Sequence, residues 1–207
     1  MYSIGNDIVA LKAVNAERTI TPQFYNKILA GTELPFYQSN CPGIPFYQFV
    51  WLAWSVKEAA YKCLKRIQPD LVFSPTRTVI TSIDPPTVLI DKIPTGIPQT
   101  GIDEPGCYQI ILSINSHTLY ARSIIYGNEL INSIVSPDPI LSKVNWGINK
   151  TSAIDPDSQS KAVRKLLKER SQAEVIKDDV GTPWLNTADA RIPVSLSHHQ
   201  DWIGYAY

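Results

Sequence analysis

Apolar residues recur between positions 49 and 67 at spacings of three and four: Phe49, Ala53, Val56, Ala60, Leu64 and Ile67. That period places them on one side of a helix, so the segment is predicted to be a long helix with a core-facing stripe. Gln68-Pro69 ends it, because the residue before a proline is pushed out of helical geometry. Upstream, residues 2–11 read as a strand, apolar on both sides of Gly5-Asn6-Asp7, and residues 22–30 as a helix-like stretch. Residues 33–47, rich in proline and aromatics, read as loop with one short turn.

Past the helix the pattern becomes alternating. Leu119, Ala121, Ser123 and Ile125 stand against Tyr120, Arg122, Ile124 and Tyr126, which predicts a strand. Further strands are expected at 76–83, 87–91 and 107–115, with Pro94, Pro98 and Pro105 in the loop between them. Residues 127–151 carry little pattern and read as a linker. Asp155-Pro156 then opens a second helix, an N-cap followed by proline in the first turn. It runs to about Arg170 with Ala162, Val163, Leu166 and Leu167 on its apolar side. Residues 173–177, 194–197 and 202–206 read as short strands. Strand, long helix and strands thus occur twice, which predicts an α+β fold of two related halves, 1–126 and 152–207.

Composition narrows the class. The 207 residues hold 19 basic and 19 acidic side chains, so no basic excess calls for nucleic acid. A few local lysines and arginines still suffice for a small anion. No stretch approaches the roughly 20 apolar residues of a membrane span. The start of the chain lacks the basic, apolar pattern of a leader, and three cysteines form no metal-ligand spacing. A cytoplasmic setting is expected.

Three places carry candidate chemistry. Asp7 sits in an otherwise apolar strand, where a carboxylate needs water, a partner or a metal; alone it also fits a strand-end residue facing solvent. Glu58 and Lys62 stand four apart and share a helix face, with Lys57 flanking at about 100°. By themselves they fit an ordinary solvated ion pair. Ser195-Leu196-Ser197-His198-His199 brings together two of the three histidines. No further His or Cys at useful spacing supports a metal there, and neighbours on a strand point apart, against a Ser–His nucleophile pair.

Together, Gly5-Asn6-Asp7-Ile8, Trp54-Ser55-Val56-Lys57-Glu58-Ala59-Ala60-Tyr61-Lys62 and Ser195-Leu196-Ser197-His198-His199 resemble the motifs of the phosphopantetheinyl transferase superfamily. Residues 1–126 look like the small holo-acyl-carrier-protein synthase type. Residues 152–207 look like the first half of the larger surfactin-synthetase-activating type, here placed last, as in a permuted pair. The resemblance implies an intrachain pseudo-dimer, each half a long helix packed on an antiparallel sheet, acting as a monomer.

The resemblance further implies transfer of 4′-phosphopantetheine from coenzyme A to a serine of an apo acyl or peptidyl carrier protein. Asp7 and Glu58 would hold Mg²⁺, with Lys57 and Lys62 on the phosphates of coenzyme A. Ser197 and His198 would contact its nucleotide part from the other half, and Glu58 would take the serine proton. Asp7, Glu58 and Lys62 are the expected catalytic set. Two positions depart from the motifs: Thr182 stands where the family's Gly-Lys-Pro has lysine, and Val9 where the larger type often has a second acid. The alternative is a degenerate member that binds coenzyme A or a carrier without catalysis.

Overall fold

The computed structural model describes residues 3–102, 105–179 and 181–207. Its elements are β1 (Gly5–Ala10), the short helices α1 (Ala16–Thr19), α2 (Pro22–Tyr25) and α3 (Leu34–Asn40), and the long α4 (Phe46–Lys65). The strands β2 (Val79–Asp84), β3 (Gln99–Thr100), β4 (Tyr108–Ile114), β5 (His117–Tyr126), β6 (Leu130–Ser136) and β7 (Asn145–Lys150) follow. Then come α5 (Pro156–Ser171), β8 (Glu174–Lys177), β9 (Pro183–Asn186), β10 (Arg191–Pro193), β11 (Ser195–His199) and β12 (Trp202–Ala206). The fold is a mixture of helices and antiparallel sheets. Among the described residues no helix is long and apolar enough to cross a membrane.

One sheet has the order β1-β6-β5-β4-β2 and another β11-β12-β7-β3, with a small β10-β9-β8 sheet beside them. The apolar stripe of α4 packs on one face of the five-stranded sheet, burying Val56, Ala60 and Leu64 against Val9, Ile131 and Val135. The opposite face of that sheet meets the four-stranded one through Ile4, Ile8, Ile134, Trp146 and Trp202. The outer face of the four-stranded sheet is covered by α5 through Val163 and Leu167 against Ile203 and Tyr205. The result is helix, sheet, sheet, helix, with β1 lying between α4 and β11.

Several expectations are corrected. Residues 127–151 are not a linker: they contain β6, paired on both sides by β1 and β5, and β7. All seven residues of β6 are buried. Covered by α4 on one face and by the second sheet on the other, it shows no alternation to read. Residues 87–91 form no strand, only a single bridge from Ile90 to Tyr126, since Pro85 and Pro86 leave too short a run. The stretch 22–30 keeps only one helical turn, and 33–47 holds α3 and the start of α4. The second helix is capped as expected, Asp155 accepting from the Ser158 amide at 2.9 Å. The first expected strand begins at Tyr2, which lies outside the described residues.

Candidate active site

β1 and α4 approach unusually closely. A Cβ on Gly5 would lie 1.8 Å from the carbonyl oxygen of Ala59, so only glycine lets the strand slide under the helix at this point. The contact sets Asp7, two residues on, beneath Glu58 and Lys62. The Lys62 ammonium donates to Asp7 Oδ1 at 2.8 Å and lies 3.4 Å from Glu58 Oε1. It also donates to the Asn6 carbonyl at 3.2 Å. Asp7 Oδ2 is buried with no hydrogen-bond partner among the described residues.

Burial pushes the Asp7 carboxyl up to about 6, against the pull of Lys62 and with the repulsion of Glu58 added. Burial works against the charge on Lys62 as well, but Asp7 and Glu58 together hold its pKa above the ordinary range. The two shifts are of one upward direction, and the cluster sets two carboxyl groups around a single ammonium. Its donors are hard oxygens, one of them unused, which suits a small divalent cation.

Lys57 behaves otherwise. It is fully buried, donating to Glu33 Oε2 at 2.6 Å and to the Ile28 carbonyl at 2.7 Å. Glu33 also accepts from the amides of Ala30 and Ile80, both at 2.7 Å. The pair locks α4 to the loop before α3 and to β2. Lys57 is therefore a core ion pair and not a phosphate ligand, a correction to the motif-based expectation.

β11 alternates its side chains. Ser195, Ser197 and His199 all turn toward β1: the Asn6 amide donates to Ser195 Oγ at 2.8 Å, Ser197 Oγ donates to Asn6 Oδ1, and the Ala10 amide donates to His199 Nδ1 at 2.9 Å. Ser197 is thus a buried seam residue between the sheets, not a group open to a ligand. His198 faces the other way and is exposed. Partial burial and then the charge of Lys62 hold its pKa down, with Glu58 opposing, so it senses the cluster directly.

Lys62 also lines a cleft of about 440 Å³, with Lys65 and Arg66 on the α4 side and Thr182, Pro183 and Ser195 opposite. The motifs did not mark Lys65 or Arg66. The available signal was helical arithmetic: 65 and 66 follow Lys62 at three and four, on its side of the helix.

A family model described as the 4′-phosphopantetheinyl transferase superfamily matches residues 3–108. The chain belongs to that superfamily. Membership makes it a transferase in type and carries phosphopantetheine transfer in general. The match includes Asp7, Glu58 and Lys62, and stops short of the 181–196 wall of the cleft, whose role rests on geometry alone. Comparison with curated proteins and with solved structures gives no match.

Proposed function

We propose that this superfamily member moves 4′-phosphopantetheine from coenzyme A to a serine hydroxyl of an apo acyl or peptidyl carrier protein, releasing adenosine 3′,5′-bisphosphate. The observation that carries the proposal is the convergence of Asp7, Glu58 and Lys62, with an unpartnered buried Asp7 oxygen, beside a cationic cleft.

Asp7 and Glu58 would hold Mg²⁺, which, when bound, neutralises charge on the pyrophosphate of the donor. Lys62 contributes a second positive charge at the same phosphates. Glu58, partly exposed beside the cleft, accepts the proton of the carrier serine as its oxygen bonds to phosphorus and the bond to the bisphosphate breaks. His198 lies within electrostatic reach of Lys62 and Glu58 and would contact the nucleotide part. The two helix-on-sheet units fit related halves of an intrachain pseudo-dimer, a monomer working in the cytoplasm.

One observation favours the non-catalytic alternative: the Lys62 ammonium already bridges both carboxylates. Metal dependence separates the readings. Release of adenosine 3′,5′-bisphosphate from coenzyme A is expected to require both an apo carrier and Mg²⁺, and to stop with chelator. Binding of coenzyme A with no release on several carriers would favour the alternative.

A further inference from the structure

β1 lies at the edge of the five-stranded sheet, with β6 on one side only. Amides along a strand point alternately to its two sides. Leu11 donates toward β6, to the Glu129 carbonyl at 2.8 Å, so the amides of Asn6 and Ala10 point away from that strand. Both residues are buried, where an unpaired amide is costly. The side chains of β11 supply the acceptors: Ser195 Oγ for Asn6 at 2.8 Å and His199 Nδ1 for Ala10 at 2.9 Å.

The two acceptors differ in one respect. A serine hydroxyl does not titrate near neutral pH, whereas an imidazole does. To accept from Ala10, Nδ1 must be unprotonated, so the fold holds His199 neutral with its proton on Nε2. Protonation would set an N–H against the Ala10 N–H and end the contact. Burial holds the His199 pKa below the ordinary range, with Glu58 opposing and the neighbouring His198 assisting. The unfolded value is near 6.5, so the contribution of this contact to stability is complete above that pH and is lost as pH falls below it.

The charged groups around the ring are otherwise engaged. Glu58 on α4 and Asp7 on β1 both hold Lys62. Beyond the end of β1, Lys12 pairs with Glu129 and Lys150 with Asp201. We infer that His199 is a pH-sensitive latch between the two sheets: neutral, it fastens β11 to the outer edge of β1 three residues beyond Asp7, and protonated, it lets that end go. Ser195 keeps the Asn6 end closed in either state, so the release is local, at the strand end beside His198.

Amide hydrogen exchange of the purified protein between about pH 7.5 and 5 tests the latch. Protection of the Ala10 amide, relative to that of Asn6, is expected to fall by up to about tenfold per pH unit below about 6.5. His199→Asn puts a carboxamide oxygen, which does not titrate, where Nδ1 stands, and should keep Ala10 protected throughout. His199→Leu removes the acceptor and should lower Ala10 protection about 10- to 100-fold at every pH. Nitrogen-15 NMR of the wild type at neutral pH should place the His199 proton on Nε2. A level Ala10 protection in the wild type, the same decline in His199→Asn, full protection in His199→Leu, or a proton on Nδ1 would each overturn the inference. Should His199→Leu fail to fold, His199→Asn and the tautomer decide. Transfer activity does not enter this test, so the latch and the proposed reaction stand or fall separately.

Discussion

Lys57 and Glu58 are neighbours in sequence with opposite fates, decided by the 100° that separates them on α4. Glu58 turns toward Asp7, Lys57 into the core against Glu33. The pairing of Glu58 with Lys62 was legible in the sequence because both lie on one helix turn. The burial of Lys57 was not, since its partner is 24 residues away in a loop that no periodicity marks. Lys57→Met should therefore break this buried pair by removing one partner, costing about 3–5 kcal/mol in chemical denaturation. Coenzyme A affinity of the folded protein should be unchanged; a selective loss of that affinity would return Lys57 to the phosphates. Asp7 carries a pH signature. Its folded pKa of about 6 lies above its unfolded value near 3.8, so the folded state binds the extra proton between these limits. This group consequently lowers stability as pH rises from about 4 to 6, by at most about 3 kcal/mol. Asp7→Asn should raise the melting temperature at pH 7, leave it nearly unaltered at pH 4, and abolish turnover. Equal effects at both pH values would contradict the assignment.

At the scale of elements, the site exists because β1 can lie against α4. Gly5→Ala drives a Cβ into the Ala59 carbonyl, and neither backbone has room to give. Overpacking of this kind costs about 1–3 kcal/mol or more, and here it also lifts Asp7 from Glu58 and Lys62. We expect a lowered melting temperature and turnover reduced beyond what the unfolded fraction explains; full specific activity in the folded fraction would contradict this placement. α4 and α5 were readable because each shows a clear period, and α5 an N-cap at Asp155. β6 was not readable, because a strand buried on both faces loses alternation. Asn132 and Ser133 within it are kept by hydrogen bonds: the Asn6 side-chain amide donates to Asn132 Oδ1 at 2.9 Å, and the Ser123 and Ser133 hydroxyls pair at 2.8 Å.

Across the whole molecule, the two walls of the cleft come from distant parts of the chain, α4 on one side and residues 181–196 on the other. Within the apolar contact of the two sheets lies one polar point: Asn6 on β1 meets Ser195 and Ser197, 189 and 191 residues later. Motif matching placed the Ser-His segment near the first motif in space but assigned Ser197 to the ligand, because alternation along β11 sends Ser197 inward and His198 outward. Fold order is thus secondary to what the layers bring together, a carboxylate pair around one ammonium at the mouth of a cationic cleft. The central claim is that this cluster transfers phosphopantetheine. The most direct test is the intact mass of an apo carrier protein after incubation with coenzyme A, Mg²⁺ and either wild-type protein or Glu58→Gln. A phosphopantetheine-sized increase with wild type, formed about 100-fold or more slowly with Glu58→Gln at unchanged melting temperature, is the predicted result. An increase formed equally fast by both proteins would contradict the account.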